Sequence, residues 1–347
     1  MDTGERQPKR DFKLRTTSML GRGLAWFMVV LLTLWAAAAL YFDLPVVSLR
    51  LPAAVLYGVA LLSLLVILRA HWPRIAAGVL GFGLVLAWWL ALKPSNDRAW
   101  QPDVAQTAWA EIAGSRITIH NFRNCDYRTE GNYVAHWDTK TVDLAQLRGV
   151  DIFLTHWGSA WIAHPIVSFD FGGQGYVAIS IETRKETTES YSAVRGFFRY
   201  YELIYLISDE RDVVRLRTNY RKGEDVYLYH TRVAPQQARI IFRDYLERAN
   251  RMREQPEWYN ALTNNCTTNI AFRAAQTKPG WTSSWDWRML LNGHADEMLY
   301  ERGDLAGNLP FAQLKQSARI NPAAQAADTA PDFSRRIRDG RPGFQDP

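Results

Sequence analysis

Tyr259-Asn260-Ala261-Leu262-Thr263-Asn264-Asn265-Cys266-Thr267-Thr268-Asn269-Ile270 is a polar run with one thiol at its centre. Asn264 and Asn265 are natural helix N-caps, because a short side-chain oxygen can accept an unpaired N–H of the first turn. Ile270 to Ala275 continue as helix formers. Cys266 is therefore expected in the first turn of a helix. There the free N–H groups and the positive end of the dipole favour a thiolate and can hold a developing oxyanion. The competing role is a small residue filling a core, and the polar flanks argue against it.

Upstream, Ile162–Phe171 reads as a strand with His164, Ile166 and Ser168 on one face, by the period of two. Gly172-Gly173-Gln174-Gly175 is hairpin-turn material, and Tyr176–Arg184 follows with Ala178, Ser180, Glu182 and Arg184 sharing a face. Such a hairpin places a histidine near a carboxylate, and the Cys266 helix is expected to pack across that face. Other strands are expected at Arg116–His120, Val150–Trp157, Leu203–Ile207 and Asp225–His230. Glu210–Arg221 reads as a surface helix or strand. Pro235 opens a strongly amphipathic helix, Gln236–Glu254, which Pro256 ends. The tail 321–347, rich in Ala, Pro, Asp and Arg, reads as an extended or disordered arm.

The 347 residues divide by composition. The first ~95 are very apolar and nearly free of acids, whereas the rest resembles an extramembranous α/β chain. Three hydrophobic spans, Leu24–Phe42, Leu51–Leu68 and Ile75–Leu92, are each long enough to cross ~30 Å of hydrocarbon as a helix. A cleaved signal peptide competes for the first span, but no small-residue cleavage site follows it and two more spans do. Arg6, Lys9, Arg10, Lys13, Arg15 and Arg22 precede the first span, and Arg69 and Arg74 lie between the second and third. The positive-inside rule then puts the N-terminus in the cytoplasm and everything after Lys93 outside, as a multi-pass protein of the inner membrane. No ionisable residue sits in mid-span, so the segment 1–95 is an anchor rather than a transport path. The catalytic domain is expected over 97–320. Trp100, Trp109, Trp157 and Trp161 are candidates for its membrane-facing side. The net charge of +6 has no nucleic-acid motif beside it and is taken as a membrane-surface bias.

Motifs narrow the chemistry. There is no HExxH, CxxC or paired-His spacing, so no metal site is expected. Without GxGxxG or a phosphate loop, neither a nucleotide nor any other cofactor is expected, and no GxSxG elbow supports a serine nucleophile. What remains is a cysteine, a histidine and a third polar group to orient the imidazole. His156 and His164 both precede Cys266, and the hairpin partner Glu182 favours His164. Counting allows a disulfide between Cys125 and Cys266, but it would idle the helix-terminal thiol, so both are expected free.

The blocks Ile162-Ala163-His164 with Val167-Ser168-Phe169, Ile179-Ser180-Ile181-Glu182-Thr183-Arg184, and Tyr259-Asn260 to Asn264-Asn265-Cys266-Thr267-Thr268-Asn269 resemble, in this order, the Lnb-type lipoprotein intramolecular transacylase domain. The resemblance runs from about Asp97 to the C-terminus. It implies an α+β thiol-enzyme fold like a circularly permuted papain or NlpC/P60 domain, with the His strand ahead of the Cys helix. It also implies acyl transfer within a bacterial lipoprotein, from an ester on the lipid-modified N-terminal cysteine to the α-amine of that residue. Carried over, Cys266 matches the nucleophile and His164 the base. Glu182 matches a recurrent acid, and its orienting role is our inference. Asn265, Thr267 and Arg184 are expected to stabilise the oxyanion or position substrate, and nothing is carried onto Cys125. The expected partners are a bacterial lipoprotein or a lipid ester in the bilayer. A cysteine amidase or peptidase acting on peptidoglycan, and a non-catalytic envelope protein, are the alternatives.

Overall fold

The computed structural model describes residues 9–270, 286–289 and 291–344. The helix formers Ala271–Ala275 and the cation Arg6 lie outside the described residues. By its internal contacts the chain divides into two units, 1–93 with 198–200, and 94–197 with 201–347.

The first unit holds three helices, α1 (Lys9–Asp43), α2 (Val47–Ile67) and α3 (His71–Ala91). Their stretches Gly21–Asp43, Val47–Ile67 and His71–Ala91 are long and apolar enough to cross a membrane. Close packing of α1 on α3 depends on a missing side chain, since a Cβ at Gly78 would lie 2.5 Å from Val29 Cγ1. Trp35 sets its ring edge-on to Phe82 and Trp89, at 5.5 and 5.1 Å between centroids.

The second unit is mixed α+β and sheet-rich. Its strands are β1 (Trp109–Ala113), β2 (Arg116–Arg123), β3 (Asp126–Tyr127), β4 (Tyr133–Val134), β5 (Trp137–Asp143), β6 (Gly149–Trp157), β7 (Ala163–Asp170), β8 (Tyr176–Arg184), β9 (Glu202–Ser208) and β10 (Glu224–His230). The main sheet runs β1-β2-β9-β8-β7-β6-β10, with β5 also on β2, and β3 and β4 form a separate pair. All ladders are antiparallel except the contact of β2 with β9.

Both faces of the central strands are covered, which explains why they carry little polar alternation. On one face Val167, Phe169, Val177, Ile179 and Ile181 pack with Phe242, Tyr245 and Leu246 of α5 (Pro235–Glu254). On the other, Phe153, Ile166 and Ala178 pack with Val213 and Val214 of α4 (Glu210–Arg215), the helix followed by a π-helical turn, Leu216–Tyr220. Glu210–Arg221 is therefore no surface element, because Glu210 and Asp212 are buried and hydrogen-bonded.

The chain beyond Asn321 also departs from expectation. The short helices Asn321–Ala326 and Phe333–Arg336, with the residues around them, put Ala324, Phe333 and Ile337 into the α4-face core, so the segment is packed rather than extended. Its polar composition hid a few apolar residues that cover the sheet.

Candidate functional site

Hairpin register builds one half of the site. Ile166 of β7 pairs with Ser180 of β8, so two residues further along His164 comes opposite Glu182. His164 Nε2 lies 2.7 Å from Ser180 Oγ, which itself donates to Glu182 Oε1 at 2.7 Å. Since the Ser180 proton points to Glu182, Ser180 Oγ accepts from His164, and the imidazole carries its proton on Nε2. Nδ1 is then the basic nitrogen. His164 Nε2 and Glu182 Oε1 are 3.6 Å apart, and Arg217 of the π-helical turn donates to Glu182 at 3.0 Å. Arg217 and then His164 hold the Glu182 carboxyl well below its usual range against the cost of burial. Burial, and then the Arg217 charge, push His164 down to about 3, so the ring is neutral at physiological pH. Ser180 and Arg217 escaped the sequence reading as site residues. Ser180 shares the face of Glu182, which was a usable signal, whereas Arg217 comes from a segment with none.

Cys266 opens the helix expected of it, α6, described over 266–270. Asn265 is its N-cap: its Oδ1 accepts from Thr268 N–H at 2.9 Å, and Thr268 Oγ1 accepts from Asn265 N–H at 2.9 Å. The Asn265 N–H expected at the oxyanion is thus already committed. The Thr267 hydroxyl, and then the N–H groups of Thr267 and Cys266, favour the ionised form of the sulfur. Burial outweighs them and pushes the thiol up to about 11, so the expected thiolate is not the resting form. A charge on Glu182 adds to that upward push.

The Cys266 helix packs on the α5-face core and not across the face expected of it. Cys266 and Ile270 pack on the α5-face core, and Tyr205 Oη of β9 donates to Asn269 Oδ1 at 2.7 Å. The face bearing His164, Ser180 and Glu182 is instead taken up by α4 and the π-helical turn, through Ser168 to Glu210 and Arg217 to Glu182. Among the described residues no hydrogen bond links Cys266 Sγ to His164; the sulfur's contact is Thr267 Oγ1, at 4.0 Å. What connects the halves is Asn292. Its Oδ1 accepts from the N–H of Ala163, next to His164, at 2.8 Å, and its Nδ2 donates to Oγ1 of Thr267, next to Cys266, at 2.5 Å. The adjacent Gly293 seats this bridge, since a Cβ there would lie 2.1 Å from the Ala160 carbonyl oxygen. His156, the other strand histidine, has a buried Nε2 with no hydrogen-bond partner among the described residues and its ring edge-on to Tyr227.

Arg184 belongs elsewhere. Its guanidinium is buried, donates to the carbonyls of Val104 and Ala105 and to Asn96 Oδ1, and stacks 4.2 Å from the Trp100 ring. It fastens the segment 96–105 to the sheet and does not face Cys266. Trp100 is accordingly buried, and Trp109 stacks on His120 at 4.0 Å, which leaves Trp161 as the exposed member of the expected aromatic set. Cys125 is buried beside Tyr127 and Leu216, its thiol pushed up to about 12 by burial and the nearby Asp212, and both cysteines are free. Among the described residues no three of His, Cys, Asp and Glu are grouped to hold a metal ion.

A cavity of about 270 Å³ adjoins the thiol helix. Val150, Ile152, Leu154, Val167, Ile241 and Tyr245 make its walls apolar, and Thr267, Ile270 and Asn292 border it on the side of Cys266. Residues 133–293 match the family described as the Lnb N-terminal periplasmic domain, a span that takes in the His164 hairpin, the Cys266 turn and the Asn292-Gly293 bridge. Comparison with curated proteins and with solved structures gives no match.

Proposed function

We propose that this chain, which belongs to the Lnb N-terminal periplasmic domain family through residues 133–293, is a membrane-anchored cysteine acyltransferase acting on a lipid-linked ester. The cavity carries this reading. An apolar chamber bordering the Cys266 helix suits an acyl chain, whereas a peptide substrate calls for polar groups along an open groove.

The Cys266 sulfur attacks the ester carbonyl while His164 Nδ1 takes the thiol proton. The alcohol leaves with that proton, and the acyl group rests on sulfur as a thioester. An amine then attacks the thioester, the acyl group moves to nitrogen, and the thiol is restored. N–H groups at the start of α6 are the candidate oxyanion donors. Because Cys266 and His164 are both neutral and share no hydrogen bond at rest among the described residues, the reading requires their hydrogen bond to form with substrate bound, as catalytic hydrogen bonds often tighten only in the complex. Ser180 and Glu182 fix the imidazole tautomer that leaves Nδ1 basic. The order of the His strand before the Cys helix fits a permuted papain- or NlpC/P60-like arrangement, and the cation-rich N-terminal flank favours an inner-membrane protein with its N-terminus in the cytoplasm.

Mass spectrometry of lipoprotein N-termini tests the reading in cells carrying the native chain or Cys266→Ser. N-acylated termini that are lost with Cys266→Ser support it. Identical acylation in both overturns it.

A further inference from the structure

Four large apolar side chains stand exposed on two loops beside Cys266. Tyr191, Val194, Phe197 and Leu262 keep 52, 56, 44 and 55% of their surface open. The loops are tied to each other, since Ala261 N–H donates to the Gly196 carbonyl at 2.7 Å, and a Cβ on Gly196 would meet the Tyr259 ring at 3.3 Å. The tip is held as well, because Asn260 Oδ1 accepts from the N–H groups of Leu262 and Thr263, each at 3.0 Å. A braced scaffold thus presents apolar side chains outward, which a water-facing loop has no reason to do. Tyr191 reaches the thiol's surroundings, as burial and then Cys266 push its hydroxyl up.

The third apolar helix ends at Ala91, and four residues on, Ser95 N–H donates to Glu202 Oε1 at 3.1 Å. Four residues of chain span at most about 14 Å. Glu202 bridges to Trp258, and Tyr259 N–H donates to the Tyr201 carbonyl at 2.9 Å, so the strand edge to which Ser95 is tied leads directly into the loop of Leu262.

We propose that Tyr191, Val194, Phe197 and Leu262 form a docking patch that enters the interfacial layer of the lipid surface from which the chain hangs. Tyrosine suits the headgroup level, and the aliphatic and phenyl groups suit the acyl boundary beneath it. The patch sets the Cys266 turn at the level of lipid ester bonds.

Photocrosslinking tests this on the full chain reconstituted in phosphatidylethanolamine–phosphatidylglycerol vesicles. Benzoylphenylalanine replaces Tyr191, Val194, Phe197 or Leu262 singly, with the exposed Val134 of β4 as reference. Lipid adducts at the four positions and none at Val134 are expected. The joint change Val194→Asp and Leu262→Asp should abolish the adduct at Tyr191. Absence of lipid adducts at the four positions, equal yield at Val134, or crosslinks to a second copy of the chain would each overturn the patch. Adducts do not depend on chemistry at sulfur and should persist in Cys266→Ser, so failure here is distinct from failure of the acyltransferase reading.

Discussion

Cys266 shows two effects of one position in conflict. The start of a helix favours its thiolate, and burial against the α5-face core opposes it and prevails, at about 11. The thiolate fraction at pH 7 is then on the order of one in ten thousand. Alkylation of Cys266 by iodoacetamide should therefore keep accelerating past pH 9 toward pH 11; a plateau near pH 8 would contradict the buried resting thiol. The N-cap was legible from Asn265 alone, because capping is local. The opposition of burial was not, since it depends on Tyr205 and Tyr245, distant in sequence. The choice of base can be settled at the same scale. His164→Ala should reduce turnover by about 10² or more, as loss of a general base does. His156→Ala should leave it within a few-fold, and the reverse outcome would transfer the role to His156.

At the scale of elements, the β7–β8 hairpin was readable because a turn of glycines sets its register, and register set His164 against Glu182. Which face the Cys266 helix would cover was not readable. That depends on α4 and the π-helical turn claiming one face first, through Glu210 and Arg217, and no local pattern announces it. The bridge that ties strand to helix is equally silent in sequence, since Asn292 is 129 residues from Ala163 and 25 from Thr267. Asn292→Ala strands the buried Ala163 N–H, at about 1–3 kcal/mol, and loses the half-buried bond to the Thr267 hydroxyl, at about 0.5–1.5 kcal/mol. Asn292→Asp keeps the acceptor for Ala163 and loses the donor to Thr267, so it should fall between. Thermal unfolding together with Cys266 alkylation would read both effects. A wild-type melting temperature and labelling rate in Asn292→Ala would show that the bridge holds nothing.

At the scale of the molecule, the C-terminal segment is a wall of the domain, and Arg338 is among the residues that anchor it. Buried Arg338 donates to Asp151 at 2.8 Å and to both oxygens of Glu210, and its guanidinium lies 3.8 Å from the Tyr176 ring. Ser168 also donates to Glu210, and His230 Nδ1 lies 2.7 Å from Asp151, so the cluster joins the C-terminus to β6, β7, α4 and β10. Arg338→Met fills much of the same volume but leaves the buried Glu210 carboxylate without its countercharge and Asp151 with His230 beside it. Removing one partner of a buried pair costs about 3–5 kcal/mol. Denaturant unfolding of the full chain in detergent should therefore show that loss, and Glu210→Gln combined with Arg338→Met should recover part of it, because the buried carboxylate left behind is then neutral. If Arg338→Met unfolds like the native chain, the buried cluster contributes nothing to holding the segment after Asn321, and its apolar residues alone keep it on the sheet.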